Sequence, residues 1–182
     1  MIEIDGSRYS GSGTIVRQAV AFAALTGQDV HITNARVRRR RPGLRRQHIR
    51  AIEAINELYG GTLAGCVEGS REIVFRPGTS AAARRYTWDI GSAGSTTMLT
   101  LAVLPVLAFA AAPVEVELRG GVFQDFAPTY FHLEHVVLPL LGRMGVDATL
   151  EMRQPGYVPT GGGILGLSLR PLRVPLRPLV LD

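Results

Sequence analysis

The chain has 182 residues, 46% of them hydrophobic, which is enough to bury the core of one sizeable domain or two small modules and excludes a disordered chain. A net charge of +5, carried entirely by arginine, favours an anionic partner such as nucleic acid, a nucleotide or an acidic lipid. A single cysteine, Cys66, excludes an internal disulfide; we expect it to be a small core residue in a reducing, cytoplasmic setting, with no secretory leader before IEIDGS.

The first half of the chain predicts the order β-α-β-α-β-β. The strand MIEI leads into the turn DGSRYSGSG and the helix TIVRQAVAFAALTG, which Gly27 is expected to stop. The strand DVHITNARV follows, then the run RVRRRRPGLRRQHIR at 36–50, which holds eight arginines. A helix with apolar residues at 49, 52, 55 and 58 precedes the strands GTLAGCVE and REIVFRPG.

The second half predicts the same order, with a period of about 85 residues. Its first strand, turn and helix are YTWDI, GSAGS and TTMLTLAVLPVLAFA. The strand VEVELRG, the loop GVFQDFAPT, the helix YFHLEHVVLPLLGRMG and the strands VDATLEMR and GGILGLSLRP complete it. The apolar run at 96–114 is long enough to consider as a membrane span, but Pro105 within it and the lack of basic flanks favour a buried helix.

This repeat predicts an α/β (α+β) fold of two tandem βαβαββ units, each a four-stranded sheet backed by two helices. We place the first unit at residues 1–83 and the second at 84–172. The Pro-rich tail at 173–182 is expected to be an edge strand, or a linker to a missing or separate C-terminal part.

Each unit has a turn of small residues between its first strand and first helix, where backbone N–H groups can approach an anion. Neither turn matches GxxxxGK[ST] or GxGxxG, so each could equally be a plain strand-to-helix turn. Arg17 lies one helical turn after the first of them, among apolar neighbours. It either closes over an anion at the turn of residues 11–13 or extends to the surface.

Six segments, in the same order, resemble the RNA 3′-terminal phosphate cyclase family over nearly the whole chain. They are IDGS…GSGTIVRQA, RRPGLRRQHIRAIEA, FRPGT, GSAGSTTMLTLAVLP, GG…AP and PGYVPTGGGIL, with PGLRRQH and GYVPTGGG the most specific. The resemblance implies ATP-dependent conversion of an RNA 3′-phosphate to a 2′,3′-cyclic phosphate through a histidine–AMP intermediate. It also implies ATP and a divalent metal, Mg²⁺ or Mn²⁺, as cofactors, the RNA 3′ end as partner and no membrane.

The resemblance also implies roles for individual residues. The catalytic and phosphate-binding positions are Arg17, Arg36, Arg39 and Gln47. The nucleotide-binding positions are Gly11, Gly13 and Pro128, of which Pro128 packs on the adenine, and Gly161, Gly162 and Gly163 match signature glycines. Arg40, Arg41, Arg45 and Arg46, with Arg38 and Arg50, are left as an electrostatic surface for the RNA backbone. No metal ligand is predicted.

The chain also departs from the family pattern. Ser10 and Thr14 stand where an acidic residue and a glutamine are usual, Leu101 where a polar residue is expected, and Pro155 where a basic residue is expected. The family's nucleophilic histidine lies in a later part of the polypeptide, so the resemblance implies that it is not in this chain. His31 is expected to pack or face solvent, His48 either to touch phosphate or to be structural, and His132 and His135 not to hold a metal.

Three hypotheses follow. The first is a cyclase whose two units are completed by a C-terminal part or by self-association, with this chain alone inactive. The second is a cyclase-like RNA-binding or RNA-processing protein without cyclase activity, which Ser10, Thr14 and Leu101 favour. The third is an enolpyruvyl transferase relative, which uses the same repeated unit and arginine-lined anion sites but fits PGLRRQH and GYVPTGGG less well.

Overall fold

A computed structural model describes residues 1–79 and 84–180 of the chain. The chain divides into two compact units, Met1–Ala81 and Ala82–Asp182. Each unit has its own four-stranded mixed sheet backed by helices, so the predicted α/β fold of two βαβαββ units is confirmed.

The first unit is built on a sheet with the strand order β1-β2-β4-β3. The first two strands run parallel and the other pairs are antiparallel. Its elements are β1 (Ile2–Asp5), α1 (Gly13–Thr26), β2 (Val30–Thr33), α2 (Arg46–Tyr59), β3 (Thr62–Ala64) and β4 (Ile73–Arg76).

Local sequence explains where the helices of the first unit begin and end. Ser12 caps α1, its Oγ accepting from the backbone N–H of Thr14, and Gly27 ends the helix with a left-handed φ of 68°. Helix α2 turns its apolar face to the sheet, where Ile52 and Ile55 are completely buried. Cys66 is half-buried in the loop between β3 and β4, so the prediction of a core cysteine is wrong.

The second unit repeats this topology with the strand order β5-β6-β8-β7. Its elements are β5 (Arg85–Asp89), α3 (Thr96–Ala108), β6 (Val114–Gly120), a helix of three parts, β7 (Asp147–Gln154) and β8 (Gly163–Arg170). The parts of that helix are α4 (Tyr130–His132), a π-helical turn (Leu133–Val137) and α5 (Leu138–Arg143). Among the described residues no helix combines the length and apolar character that crossing a membrane requires.

The π-helical turn differs from the continuous helix that the sequence predicts. The N–H of Leu138 bonds the carbonyl of Leu133, five residues back. Pro139 follows directly and has no N–H to continue the α-helical pattern. In a regular α-helix, the carbonyl four residues before Pro139 would have no N–H donor. The wider turn accommodates this carbonyl.

The tail is tied to the second unit as far as Val180 and forms no strand over 171–180. The backbone N–H of Leu172 bonds the carbonyl of Ala108 at 2.8 Å, and that of Arg177 bonds the carbonyl of Met144 at 2.9 Å. The guanidinium of Arg143 donates to the carbonyl of Val180 at 2.6 Å. The edge strand expected there is therefore replaced by an irregular segment.

Candidate anion-binding site

Two loops of the first unit meet at the carboxyl ends of its parallel strands β1 and β2. Residues 6–12 follow β1 and residues 34–45 follow β2, and the last paired residues are Asp5 and Thr33. The Asp5 carboxylate joins the loops, because its Oδ1 accepts from the N–H of Ser7 at 2.9 Å and from Asn34 Nδ2 at 3.2 Å. These bonds lower the pKa of Asp5.

The arginine run is fixed by its Pro-Gly-Leu segment and is not a loose basic loop. Leu44 is completely buried, and its backbone exchanges hydrogen bonds with Ser70 at 2.8 Å and Gly69 at 2.9 Å. Gly43 has a left-handed φ of 75°, and a Cβ there would overlap the carbonyl of Gly69. The middle of the run is therefore held by the fold.

Arg17 is a buried cation at the centre of the site. Its side chain comes from α1, is 5% exposed, and donates from Nη2 to Thr14 Oγ1 at 3.3 Å. Within residues 1–79 and 84–180, no carboxylate lies at ion-pair distance from it. Burial and the neighbouring Arg36 guanidinium lower the pKa of Arg17 to about 10. A charged guanidinium held this way is stabilised by an anion.

Arg36 and Arg39 bring further positive charge to the same place. Arg36 has a left-handed φ of 56°, which a non-glycine residue adopts at a cost, and its Nη1 donates to the carbonyls of Arg41 at 3.2 Å and of Gly43. Burial, followed by Arg39 and Arg45, lowers the pKa of Arg36. Arg39 Nη2 donates to the carbonyl of Ser10 at 3.3 Å, which links the arginine run to the glycine turn.

His48 packs against the glycine turn of residues 11–13. This residue is 3% exposed, and its imidazole packs against Gly13. Its Nδ1 accepts from the N–H of Arg45 at 3.1 Å, which assigns the ring proton to Nε2. Burial, followed by Arg17 and Arg36, lowers the pKa of His48 to about 3, so the ring is neutral at physiological pH. Of the two roles considered for His48, the structure assigns the packing one.

The remaining residues of the run differ in exposure. Gln47 is half-buried in the first turn of α2. Arg38, Arg40, Arg41 and Arg46 are exposed. Arg45 is half-buried and forms an ion pair with Glu68 at 3.0 Å, and Arg50 pairs with Glu53 and Glu57. At Arg45 and Arg50 the charge of the expected RNA-backbone surface is therefore already paired with carboxylates.

The second unit has the corresponding turn, but its surroundings are different. Ser95 caps α3 through a bond from the N–H of Met98 at 3.0 Å, and Pro128 is held by Thr97 Oγ1, which donates to its carbonyl at 2.7 Å. Gly161 packs against Ala93 in that turn. Helix α3 has no arginine, so this turn has no counterpart of Arg17 on its helix.

His31 and His135 have their own carboxylate partners. His31 bridges Glu3 at 2.7 Å and Glu72 at 2.8 Å, and the bond to Glu72, followed by the one to Glu3, raises its pKa. His135 pairs with Glu134 at 3.3 Å and stacks on Phe131. In the part of the chain that the structure describes, no group of three or more His, Cys, Asp or Glu side chains is placed to hold a metal ion.

Two βαβαββ units, the first with the buried Arg17 beside its glycine turn, define an α/β repeat protein. The family model described as RNA 3′-terminal phosphate cyclase matches residues 8–180. The chain belongs to this family.

Archaeal relatives support this membership. An RNA 3′-terminal phosphate cyclase of Methanosarcina mazei is 38% identical over 174 residues, which cover 96% of this chain and 49% of the relative. One from Ignicoccus hospitalis is 42% identical over 172 residues, 94% of this chain and 48% of the relative. One from Desulfurococcus amylolyticus is 38% identical over 181 residues, 100% of this chain and 50% of the relative. The chain thus spans about half the length of these relatives.

Proposed function

We propose that this chain forms the phosphate-binding part of an RNA 3′-terminal phosphate cyclase, which converts an RNA 3′-phosphate to a 2′,3′-cyclic phosphate with ATP. The proposal depends on the burial of the Arg17 side chain. Arg17 lies beside Arg36 and has no carboxylate partner among the described residues. A terminal phosphate is dianionic near neutral pH and offers the oxygens that guanidinium groups bind in pairs.

In this reaction the AMP of ATP passes to a histidine as pyrophosphate leaves, and then to the RNA 3′-phosphate. The 2′-hydroxyl oxygen next attacks the phosphorus of that phosphate, its proton is lost, and AMP leaves. The arginines would hold the terminal phosphate and oppose the negative charge that develops on its oxygens during both transfers. Gly11 and Gly13 would allow backbone N–H groups to approach the same anion.

None of the chain's four histidines fits the nucleophile. His48 is buried against Gly13, and His31 is held by two carboxylates. His132 and His135 lie on the helix of the second unit, and the family resemblance places the nucleophile later in the polypeptide. We assign the nucleophile to a part of the polypeptide beyond these residues. The described residues also offer no metal-ligand cluster, so no step is assigned to Mg²⁺ or Mn²⁺ here.

One observation favours the cyclase-like alternative, in which RNA binding remains without cyclase activity. The position of the family's usual acidic residue holds Ser10, whose backbone carbonyl accepts from Arg39. The loop thus supplies a neutral acceptor where the family supplies a carboxylate.

The experiment compares single-stranded RNAs that end in a 3′-phosphate or a 3′-hydroxyl, with binding measured by fluorescence anisotropy. We expect tighter binding of the 3′-phosphate and loss of that preference in Arg17→Met. Equal affinity of the wild-type chain for both RNAs contradicts the proposal. Incubation of the whole polypeptide with ATP labelled on its α-phosphate then separates the alternatives, because a protein that prefers the 3′-phosphate yet takes no label is cyclase-like.

A further inference from the structure

Tyr9 is an exposed aromatic residue held in an unfavourable backbone conformation. Its side chain is 92% exposed, and its φ is 51°, in the left-handed region. A residue with a Cβ adopts this conformation at a cost of about 1 kcal/mol or more, and such residues concentrate at functional sites. Burial of the ring does not offset that cost in the free protein.

Hydrogen bonds on both sides of Tyr9 fix the position of its loop. The N–H of Gly11 bonds the carbonyl of Arg8 at 2.9 Å, and the N–H of Arg8 bonds the carbonyl of Asp5 at 3.3 Å. On the other side, the carbonyl of Ser10 accepts from Arg39. The tyrosine ring is therefore presented by a loop whose position is fixed from both ends.

Tyr9 borders a cleft of about 550 Å³ that runs along β1. The cleft has apolar walls from Ile4 and Ile15 and a cation from Arg8. Its two carboxylates are engaged, since Glu3 pairs with His31 and Asp5 accepts from Ser7 and Asn34. Strand β1 is also the edge of its sheet, so it offers backbone polar groups to a ligand beside it.

We propose that this cleft binds the nucleobase of the RNA's 3′-terminal nucleotide, with the ring of Tyr9 stacked on the base. This rests on the function proposed above, and it assigns a base-binding subsite next to the phosphate-binding arginines. A nucleobase has a flat apolar face and a polar edge, which match the aromatic and aliphatic walls and the strand edge.

The charges around the cleft set the orientation of the nucleotide. The carboxylates of Glu3 and Asp5 line the cleft and disfavour a phosphate in it. Arg39 contacts the residue next to Tyr9, and the side chain of Arg38 lies about 3.6 Å from where a Cβ at Gly11 would be. The phosphate therefore faces the arginine run while the base faces Ile4 and Ile15.

The test uses two RNAs that share a 3′-phosphate, one with a normal 3′-terminal nucleotide and one in which that nucleotide is abasic. The wild-type chain should bind the normal RNA about 10-fold more tightly, the usual value of one stacked base. Tyr9→Gly should bind both RNAs equally. Its melting temperature should be unchanged or higher, because glycine accepts the left-handed backbone, whereas a purely structural role for the ring predicts a lower value.

Two further variants provide controls. Tyr9→Trp keeps a stacking surface and should keep the discrimination between the two RNAs. Phe22→Ala removes another exposed aromatic of the same unit, on the last turns of α1, and should leave the discrimination intact.

The possible failures are distinguishable. If the wild-type chain prefers a 3′-phosphate to a 3′-hydroxyl but binds normal and abasic RNA equally, the base subsite is wrong and the proposed function stands. If it shows no 3′-phosphate preference, the proposed function itself fails. If Tyr9→Gly weakens binding of ATP and leaves RNA discrimination unchanged, the cleft takes the adenine of ATP and the inference is overturned.

Discussion

The imidazole of His48 lies directly against Gly13, so that a Cβ at residue 13 would overlap the ring. This contact joins the first turn of α1 to the first turn of α2. The same added Cβ would lie 3.3 Å from Nη1 of Arg17. The position of the buried guanidinium thus depends on a glycine and a histidine that pack on each other.

We expect Gly13→Ala to destabilise the protein by about 1–3 kcal/mol, because the methyl group forces the imidazole or the helix to move. It should also weaken binding of RNA 3′-phosphate, since Arg17 is displaced with the helix. Urea unfolding and fluorescence anisotropy measure the two effects. Gly142→Ala is the control, because a Cβ there meets no atom within 4 Å. The double variant Gly13→Ala, His48→Ala should recover part of the stability, and a failure to do so would exclude the overlap as the cause.

The burial of His48 predicts a loss of stability in mild acid. Its folded-state pKa of about 3 lies below the unfolded value of 6.5, so the unfolded chain binds the proton more readily. The stabilisation is complete above pH 6.5 and decreases as the pH falls towards 3. At pH 4.5 the loss from this group alone is about 2–3 kcal/mol.

Urea unfolding at pH 7 and pH 4.5 measures this effect, with His48→Asn as the comparison, because an amide oxygen can still accept from Arg45 without titrating. The difference between the two proteins removes the contributions of Asp5 and Glu117, whose pKa values are lowered, and of His31, whose pKa is raised. Identical pH dependence in both proteins would show that His48 is not the group responsible.

Arg17→Met should raise the free energy of unfolding in phosphate-free buffer by about 1 kcal/mol or more, because it replaces a buried cation that has no carboxylate partner within residues 1–79 and 84–180. The same change should abolish stabilisation by inorganic phosphate, measured as a shift in melting temperature. Arg50→Met is the matched control: it removes an arginine paired with Glu53 and Glu57 and should lower stability while preserving the phosphate effect. A less stable Arg17→Met protein would mean that the arginine is already satisfied in the free chain.

The exposed and the half-buried arginines should contribute differently to the salt dependence of RNA binding. Replacing Arg38, Arg40 and Arg41 together by alanine should reduce the slope of log K against log salt by up to about 2, since each backbone contact to single-stranded RNA contributes about 0.7. Arg36→Ala should remove the 3′-phosphate preference with little change in slope. Arg45→Ala should change the slope less than replacing one exposed arginine by alanine does, because Arg45 is paired with Glu68. Equal effects at all positions would make the run a uniform basic patch.

Most of the fold could be predicted because the relevant signals are local. The apolar spacing in α2, the glycine after α1 and the alternation in β6 each determine an element within its own residues. The repetition of these signals in the second half predicts the second unit. The π-helical turn escaped prediction, because the missing N–H of Pro139 can be absorbed in several ways and packing chooses among them.

The site was only partly predictable, because its decisive contacts join residues far apart in sequence. The sequence left Arg17 either closing over an anion or extending to the surface, and nothing local shows that it is buried with Arg36 beside it. The sequence left His48 either touching phosphate or structural, and the contact that buries it is with Gly13 in another helix. The left-handed conformation of Tyr9 has no sequence signal, since tyrosine is a poor candidate for it.

If Arg17 and Arg36, which have no carboxylate at ion-pair distance among the described residues, hold a phosphate as proposed, that phosphate contributes to folding as well as to the reaction. Any anion that binds only the folded chain stabilises it in proportion to the logarithm of its concentration over its dissociation constant. Cellular phosphate and RNA ends would therefore set the fraction of this protein that is folded. Its abundance would follow the supply of the anions that it binds.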